Sequence, residues 1–212
     1  TMELGGKSPN IVFADAHIDN AVKGVISGIF AATGQTCIAG SRLLVQESIH
    51  DEFVEKLVAL GRTAKIGDPT SFETQVGPVT NIPQYEKVLN YIDVAKAEGA
   101  EVALGGGTPS GPEIGEGWFV EPTIGNDVIY GLAAGVWTQN IGRAITMAGQ
   151  LRAGTVWVNT YRAVSYLSPF GGYKKSGIGR ESGQEMIKEY LQHKSVWIET
   201  SNAEAPNPFV LR

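Results

Sequence analysis

Two residues near the start of the chain have side chains suited to covalent and proton-transfer chemistry. Cys37 lies in the run Gly34-Gln35-Thr36-Cys37, and Glu3 opens the run Glu3-Leu4-Gly5-Gly6-Lys7-Ser8-Pro9-Asn10. The two are 34 positions apart, and both runs are flanked by glycine. Cys37 is the only cysteine, which excludes an intrachain disulfide and any multi-thiolate zinc or iron–sulfur centre. A lone thiol is either a small buried hydrophobe or a nucleophile, and its position in the chain leaves both open. Small residues on either side, Gly34 before it and Ala39-Gly40 after it, would let a backbone or a substrate approach the sulfur.

Other candidates are weaker. His17, His50 and His193 are scattered without metal-ligand spacing, and no metal site is expected. A Cys–His dyad would have to recruit His17 or His50, which stand where caps and loops are expected. The run Gly177-Ile178-Gly179-Arg180-Glu181-Ser182-Gly183 has the spacing G-x-G-x-x-x-G, which is not the dinucleotide fingerprint, and no clear strand leads into it. It reads as a turn into the last helix. Gly105–Gly107 lacks the Lys-Ser/Thr of a phosphate-binding loop.

The 212 residues are 42% hydrophobic and 18% charged, with a formal net charge of −5, enough apolar material for a sizeable core. That balance argues against a nucleic-acid partner, which needs concentrated positive charge, and against disorder. No apolar run reaches the ~18–20 residues that would span a bilayer, so no membrane is expected. The first residues lack a basic region followed by an apolar one, and with a single cysteine this fits a cytoplasmic location.

The apolar pattern alternates between strand and helix periods. Asn10–Phe13 reads as a strand. Ile18, Val22, Val25, Ile26, Ile29 and Phe30 form a helical stripe that Asp15 or Asp19 would cap and Gly34 would end. Cys37 then falls in a turn before a strand at Arg42–Gln46. Helices follow at Asp51–Lys65 and from Pro83 to Gly99. Strands are expected at Val102–Leu104, Phe119–Ile124, Ala133–Thr138 and Thr155–Asn159, with a helix at Ile141–Leu151. Gly105–Gly117, with six glycines and two prolines in 13 residues, reads as a surface loop. A long irregular stretch, Thr160–Gly179, precedes a short helix at Gly183–Tyr190 and a last strand at Ser195–Thr200. The alternation predicts an α/β domain: a mostly parallel sheet flanked by helices. Residues 1–190 would form that domain, and 191–212 a strand and tail that pair with another subunit's edge.

The two glycine-flanked runs resemble the glutamate and cysteine signatures of the NAD(P)-dependent aldehyde dehydrogenase superfamily. The resemblance continues in collinear order through Gly77-Pro78, Glu121-Pro122-Thr123 and Tyr130-Gly131-Leu132-Ala133-Ala134-Gly135-Val136. It closes with Gly154-Thr155-Val156-Trp157-Val158-Asn159, Ser168-Pro169-Phe170-Gly171-Gly172-Tyr173-Lys174 and Ser176-Gly177-Ile178-Gly179-Arg180-Glu181. It implies the catalytic-domain fold of that family, NAD or NADP as cofactor, a small-molecule aldehyde as substrate, and a homodimer or homotetramer built through the C-terminal strand. It implies that Cys37 attacks the aldehyde to give a thiohemiacetal, that loss of hydride leaves a thioester, and that Glu3 is the general base for the hydrolytic water. Leu4 and Gly5 would lie against the nicotinamide. Thr36, Ile38, Arg162, Val164 and Phe170 would line the aldehyde channel, with Phe170 equally readable as a core aromatic. Arg162, pointing inward, would favour an anionic or polar aldehyde.

Two departures stand out. The upstream portion of the family pattern, which holds most of the dinucleotide, is not in this sequence. Glu121-Pro122-Thr123-Ile124 also runs straight into Gly125-Asn126-Asp127, where family members carry several tens of residues with an E-[IV]-F-G-P motif. This predicts a segment missing between 124 and 125. Two rival readings follow: a cofactor-independent thiol esterase or acyl transferase using the same pair, and an inactive fragment acting through subunit assembly.

Overall fold

Apolar residues at spacings of three and four make one face of the helix Ile18–Phe30 (α1) oily, and in the computed structural model that face is the centre of the core. The structure describes residues 2–111, 114, 116–123, 132–192, 194–198 and 200. The chain begins with a short strand, Met2–Glu3 (β1), then Pro9–Val12 (β2), α1, and Arg42–Val45 (β3). Helices His50–Gly61 (α2) and Ile82–Ala97 (α3) follow, then Ala133–Trp137 (β4), Ile141–Gln150 (α4), Thr155–Val158 (β5), Gly177–Ile178 (β6) and Met186–Glu189 (α5). The main sheet has the order β3-β2-β4-β5 with every pairing parallel, so the fold is α/β as the alternation predicted. A second, two-stranded antiparallel ribbon joins β1 to β6.

All five residues of β4 are buried, as befits a central strand of a parallel sheet covered on both faces. Val22 and Val25 of α1, Phe53 and Leu57 of α2, and Trp137 and Trp157 of the sheet share one core. Asn10 sits at its centre, fully buried, and its Oδ1 accepts a hydrogen bond from Trp137 Nε1 at 3.2 Å. Gly135 makes room for that side chain, since a Cβ there would lie 2.5 Å from Asn10 Oδ1.

The helix starts show where local chemistry was read correctly and where it was not. Asn81 caps α3, accepting from the Gln84 amide at 2.9 Å, with Pro83 in the first turn. Neither Asp15 nor Asp19 caps α1; His17 holds that position without a side-chain cap. Asp19 instead pairs with Lys56 of α2 at 2.9 Å. Asp15 serves the far end of the sheet, accepting from Thr138 Oγ1, the Asn140 amide and Arg143 at the start of α4. Desolvation raises the Asp15 pKa, but the Thr138 hydroxyl, Arg143 and the Asn140 amide outweigh it and hold the carboxyl below its ordinary 3.8. A lowered carboxylate pKa contributes stability above the ordinary value that is lost as pH falls through it. Asp15→Asn is therefore expected to flatten the acid limb of the stability curve below about pH 4, read by denaturant titration between pH 3 and 7.

Three expected strands do not form. Residues 102–104 are irregular, and 119–123 are held by isolated bonds instead, Val79 N to Trp118 O at 2.8 Å and Glu121 N to Gly107 O at 2.9 Å. Pro122 has no N–H to offer a ladder. The C-terminal strand expected at Ser195–Thr200 is absent from residues 195–198 and 200, which pair with neither outer strand of the main sheet. α2 ends at Gly61 instead of Lys65, as the Lys65 carbonyl accepts from the Gln75 and Val76 amides. The last helix shrinks to Met186–Glu189. The expected gap between 124 and 125 lies outside the described residues.

Candidate active site

Cys37 is carried on a loop whose shape is fixed before the sulfur is reached. After α1 the chain turns back through three consecutive left-handed residues, Ala32, Thr33 and Gly34, with φ of 54°, 57° and 70°. For the two residues with a Cβ that conformation costs roughly 1–2 kcal/mol each, so neighbours must hold it. Gln35 supplies one hold: its Oε1 accepts from both the amide and the hydroxyl of Thr80, at 3.0 and 2.6 Å. Thr33 Oγ1 supplies another, donating to the Gly77 carbonyl at 3.4 Å. The chain then makes a tight turn, Ala39 N to Thr36 O at 3.0 Å, with Cys37 exposed at its apex. Ile38 drops into the main core and anchors the turn.

Tyr161 fixes the turn from below. Its hydroxyl donates to the Ile38 carbonyl at 3.1 Å, and its ring lies tilted against Trp157 with centroids 4.8 Å apart. Burial pushes the Tyr161 phenol up to about 12, with Ser8 and the Arg162 charge pulling the other way. A raised phenol pKa gives stability that is complete below pH 10 and lost as pH rises from 10 to 12. Tyr161→Phe is expected to cost about 1 kcal/mol at pH 8, from the bond lost at Ile38. The gap between wild type and variant should close across pH 10–12, as urea titrations at stepped pH would record.

The Glu3 run reaches the same place along the backbone. Glu3 is registered opposite Gly177 in the β1–β6 ribbon, and the Leu4 amide donates to the Ser176 carbonyl at 3.0 Å. Two residues on, Gly6 is buried flat against the Cys37 turn: a Cβ on Gly6 would stand 2.6 Å from the Cys37 carbonyl oxygen. Three residues of chain span at most about 10 Å. The backbone that carries Glu3 is thus tethered to the Cys37 turn.

The remaining candidates divide. Thr36 stands next to the sulfur, half-buried, with Oγ1 shielded and lacking a hydrogen-bond partner. Leu4 is exposed, and an added Cβ on Gly5 would find no atom within 4 Å, so this flank of the loop is open. Arg162 adopts a left-handed φ of 61° and turns inward, with Nη1 buried and no partner among the described residues. Val164 is exposed, and Phe170 leans on the main core while its main chain exchanges hydrogen bonds with Glu181. Tyr161, Gly6 and Gln35 were missed as contributors. Their only sequence signal was position within or beside the quoted motifs, since each acts through a contact remote in sequence. A cavity of about 1100 Å³ lies behind the loop: Gln35 lines it and Cys37 does not.

The sequence model of the aldehyde dehydrogenase family matches residues 1–128 and 124–196, two stretches that together cover most of the chain. This chain belongs to the aldehyde dehydrogenase family. It is 42% identical to the betaine aldehyde dehydrogenase of Brucella anthropi, aligning over 97% of this chain and 49% of that protein. The betaine aldehyde dehydrogenase of Staphylococcus aureus, crystallised as a double mutant with NAD+ and a β-mercaptoethanol-modified cysteine, superposes with a TM-score of 0.90 at 39% identity. That match covers 98% of this chain and 49% of that one. PnpE in complex with nicotinamide adenine dinucleotide gives a TM-score of 0.89 at 40% identity, covering 96% and 49%. The chain spans about half the length of the curated relatives it matches. Within that half an aldehyde dehydrogenase alignment also skips. The Brucella alignment runs over 240 positions against 212 residues here, so at least 28 of its positions (240 less 212) face no residue of this chain.

Proposed function

We propose that this chain is the catalytic half of an NAD(P)-dependent aldehyde dehydrogenase, with Cys37 as nucleophile and Glu3 as general base. The single observation that carries it is the convergence at one loop. An exposed thiol stands at the apex of a held turn, and the Glu3 run packs against that turn through Gly6. The β-mercaptoethanol adduct on a cysteine of the Staphylococcus relative supports a reactive thiol in this family.

In this reading the Cys37 thiolate adds to the aldehyde carbon, its sulfur forming the new bond while the carbonyl electron pair moves onto oxygen. In the same reading the Cys37 amide donates to that oxygen as one oxyanion partner. An oxidised nicotinamide supplies the hydride acceptor when bound, and the residues here fit it: Leu4 and Gly5 lie on an open flank next to Gly6, with no Cβ at Gly5 to keep a flat ring away. Glu3 then takes a proton from water as that water attacks the thioester carbon, and the Cys37 thiolate leaves with the carboxylic acid released. Arg162 adds positive charge beside the Tyr161–Ile38 bond, which suits a polar or anionic aldehyde. Thr36, Val164 and Phe170 form the rest of the proposed wall. The exposed Val196, Trp197 and Ile198 are proposed to meet a second subunit. No helix among the described residues is long and apolar enough to cross a membrane.

Acyl transfer tests the pair without cofactor. With p-nitrophenyl acetate, intact mass should show a single acetyl adduct, mapped to Cys37 by peptide digestion, followed by its loss as water hydrolyses it. Cys37→Ala should give neither adduct nor nitrophenol release above background. An unmodified Cys37 in the folded protein after prolonged exposure overturns the proposal. Dependence of aldehyde turnover on NAD+ or NADP+, read at 340 nm after joining the upstream half of the Brucella relative, separates it from a cofactor-independent esterase.

A further inference from the structure

Asn10 of β2 is a polar side chain within the apolar core, and it is 0% exposed. Its Oδ1 accepts from Trp137 Nε1 at 3.2 Å, a bond that fixes the plane of the amide. Nδ2 carries two N–H groups and has no hydrogen-bond partner among the described residues. A buried amide donor left unbonded lowers stability, and a leucine of similar size would fill the same space without it. Fold stability alone therefore does not account for an amide at this position.

Its surroundings lead to the Cys37 turn. Three glycines from separate parts of the fold stand around the amide: Gly28 of α1, Gly40 just after the turn, and Gly135 of β4. A Cβ at Gly28 would lie 3.3 Å from Asn10 Nδ2 and 3.1 Å from Tyr161 Cδ1. At Gly135 it would lie 2.5 Å from Asn10 Oδ1 and 2.7 Å from Tyr161 Cδ2, so those two atoms are at most 5.2 Å apart (2.5 plus 2.7). At Gly40 it would meet Asn10 Nδ2 and, at 3.1 Å, the Tyr161 hydroxyl oxygen. The same glycine walls thus enclose the Asn10 amide and the Tyr161 ring, with Trp157 against the ring at 4.8 Å between centroids. The hydroxyl that this box aims donates to the carbonyl of Ile38, the residue after Cys37. Gly6, four residues before Asn10, meets the Cys37 carbonyl of that turn.

We propose that Asn10 is a positioning residue for the chemistry of Cys37: held flat by Trp137, its amide keeps the Tyr161 ring in the orientation from which the hydroxyl reaches the Ile38 carbonyl. The inference rests on the reading of Cys37 as nucleophile, and Asn10 acts through Tyr161, not on the sulfur. A leucine in its place has neither an acceptor for Trp137 nor a fixed plane, so the ring tilts and the Ile38 carbonyl loses its donor.

The test is a double-mutant cycle read on acetylation of Cys37 by p-nitrophenyl acetate, at a temperature well below the Tm of every variant. Asn10→Leu and Tyr161→Phe should each slow acetylation about tenfold, since both take the donor from Ile38 and let the turn shift by part of an ångström. The double variant should be no slower than either single one. Trp137→Phe unlocks the amide by a second route, leaves Asn10 itself in place, and carries the cycle where Asn10→Leu does not fold. It should slow acetylation too, and add nothing in the Tyr161→Phe background. A residue that matters only to packing would instead lower Tm and give losses that multiply. Two results overturn the inference while leaving Cys37 as nucleophile: wild-type acetylation in folded Asn10→Leu or Trp137→Phe, or a double variant slowed about a hundredfold, the product of the single losses. A wild type that takes up no acetyl group overturns the reading of Cys37 and this inference with it.

Discussion

Replacing Glu3 by glutamine is expected to leave acetylation of Cys37 near its wild-type rate while slowing release of the acetyl group by about 10²–10⁴-fold, the usual worth of a positioned general base. The two half-reactions make different demands. Attack on an activated ester needs the thiolate and an oxyanion donor, which in this reading are the side chain and the backbone amide of the same residue, Cys37. Hydrolysis of the thioester needs a proton removed from water, and Gln keeps the shape of Glu while having no basic oxygen to receive it. Mass spectra at timed intervals should therefore show the acetyl form accumulating in Glu3→Gln and staying transient in the wild type. The backbone register limits the alternatives. Glu3 opposite Gly177, with Gly6 pinned on the Cys37 carbonyl, keeps this carboxyl's chain within a few residues of the sulfur. Deacylation by Glu3→Gln at the wild-type rate would remove Glu3 from the mechanism and leave only the cysteine half of the proposal.

The parallel sheet and its long helices were legible because each rests on local periodicity. The α1 stripe and the all-apolar run Ala133–Trp137 announce a buried helix and a buried strand without reference to anything distant. What failed was whatever needed a partner. Residues 102–104 and 195–198 have strand composition, yet they pair with no strand among the described residues. The reverse error is β1 and β6: two residues each, too short to register as a pattern, and paired across the whole length of the domain. The same reason hid Tyr161. As a tyrosine after an Asn-Thr pair it carries no mark of function; only the fold brings its hydroxyl to Ile38. Cys37 and Glu3 were found through motif resemblance, and the alternation rule alone would have left the thiol undecided between core and site.

Gly6 provides the sharper geometric test, because the turn it touches has nowhere to move cheaply. In Gly6→Ala the new methyl would meet the Cys37 carbonyl oxygen at 2.6 Å and Leu132 Cβ at 3.3 Å. Leu132 is 1% exposed and set in the main core, and the far side of the Cys37 turn is held by Ile38 in the core and by Tyr161. Relief must then come from the Cys37 peptide itself, the group that aims the thiol and its oxyanion donor. Overpacking of this kind costs about 1–3 kcal/mol, a fall of roughly 2–12 °C in Tm for a chain of this size. A displacement of about 1 Å at a reacting group costs on the order of 10² in rate, so acetylation of Cys37 should drop by about that factor. Gly5→Ala is the matched control: an added Cβ there meets nothing within 4 Å, and both Tm and acetylation rate should stay at wild type. If instead the two alanines behave alike, the contact between the Glu3 run and the Cys37 turn does not position the thiol, and the pairing of these residues loses its geometric basis. A loss in Gly6→Ala alone, with Tm still well above the assay temperature, ties the rate to the placement of one peptide group.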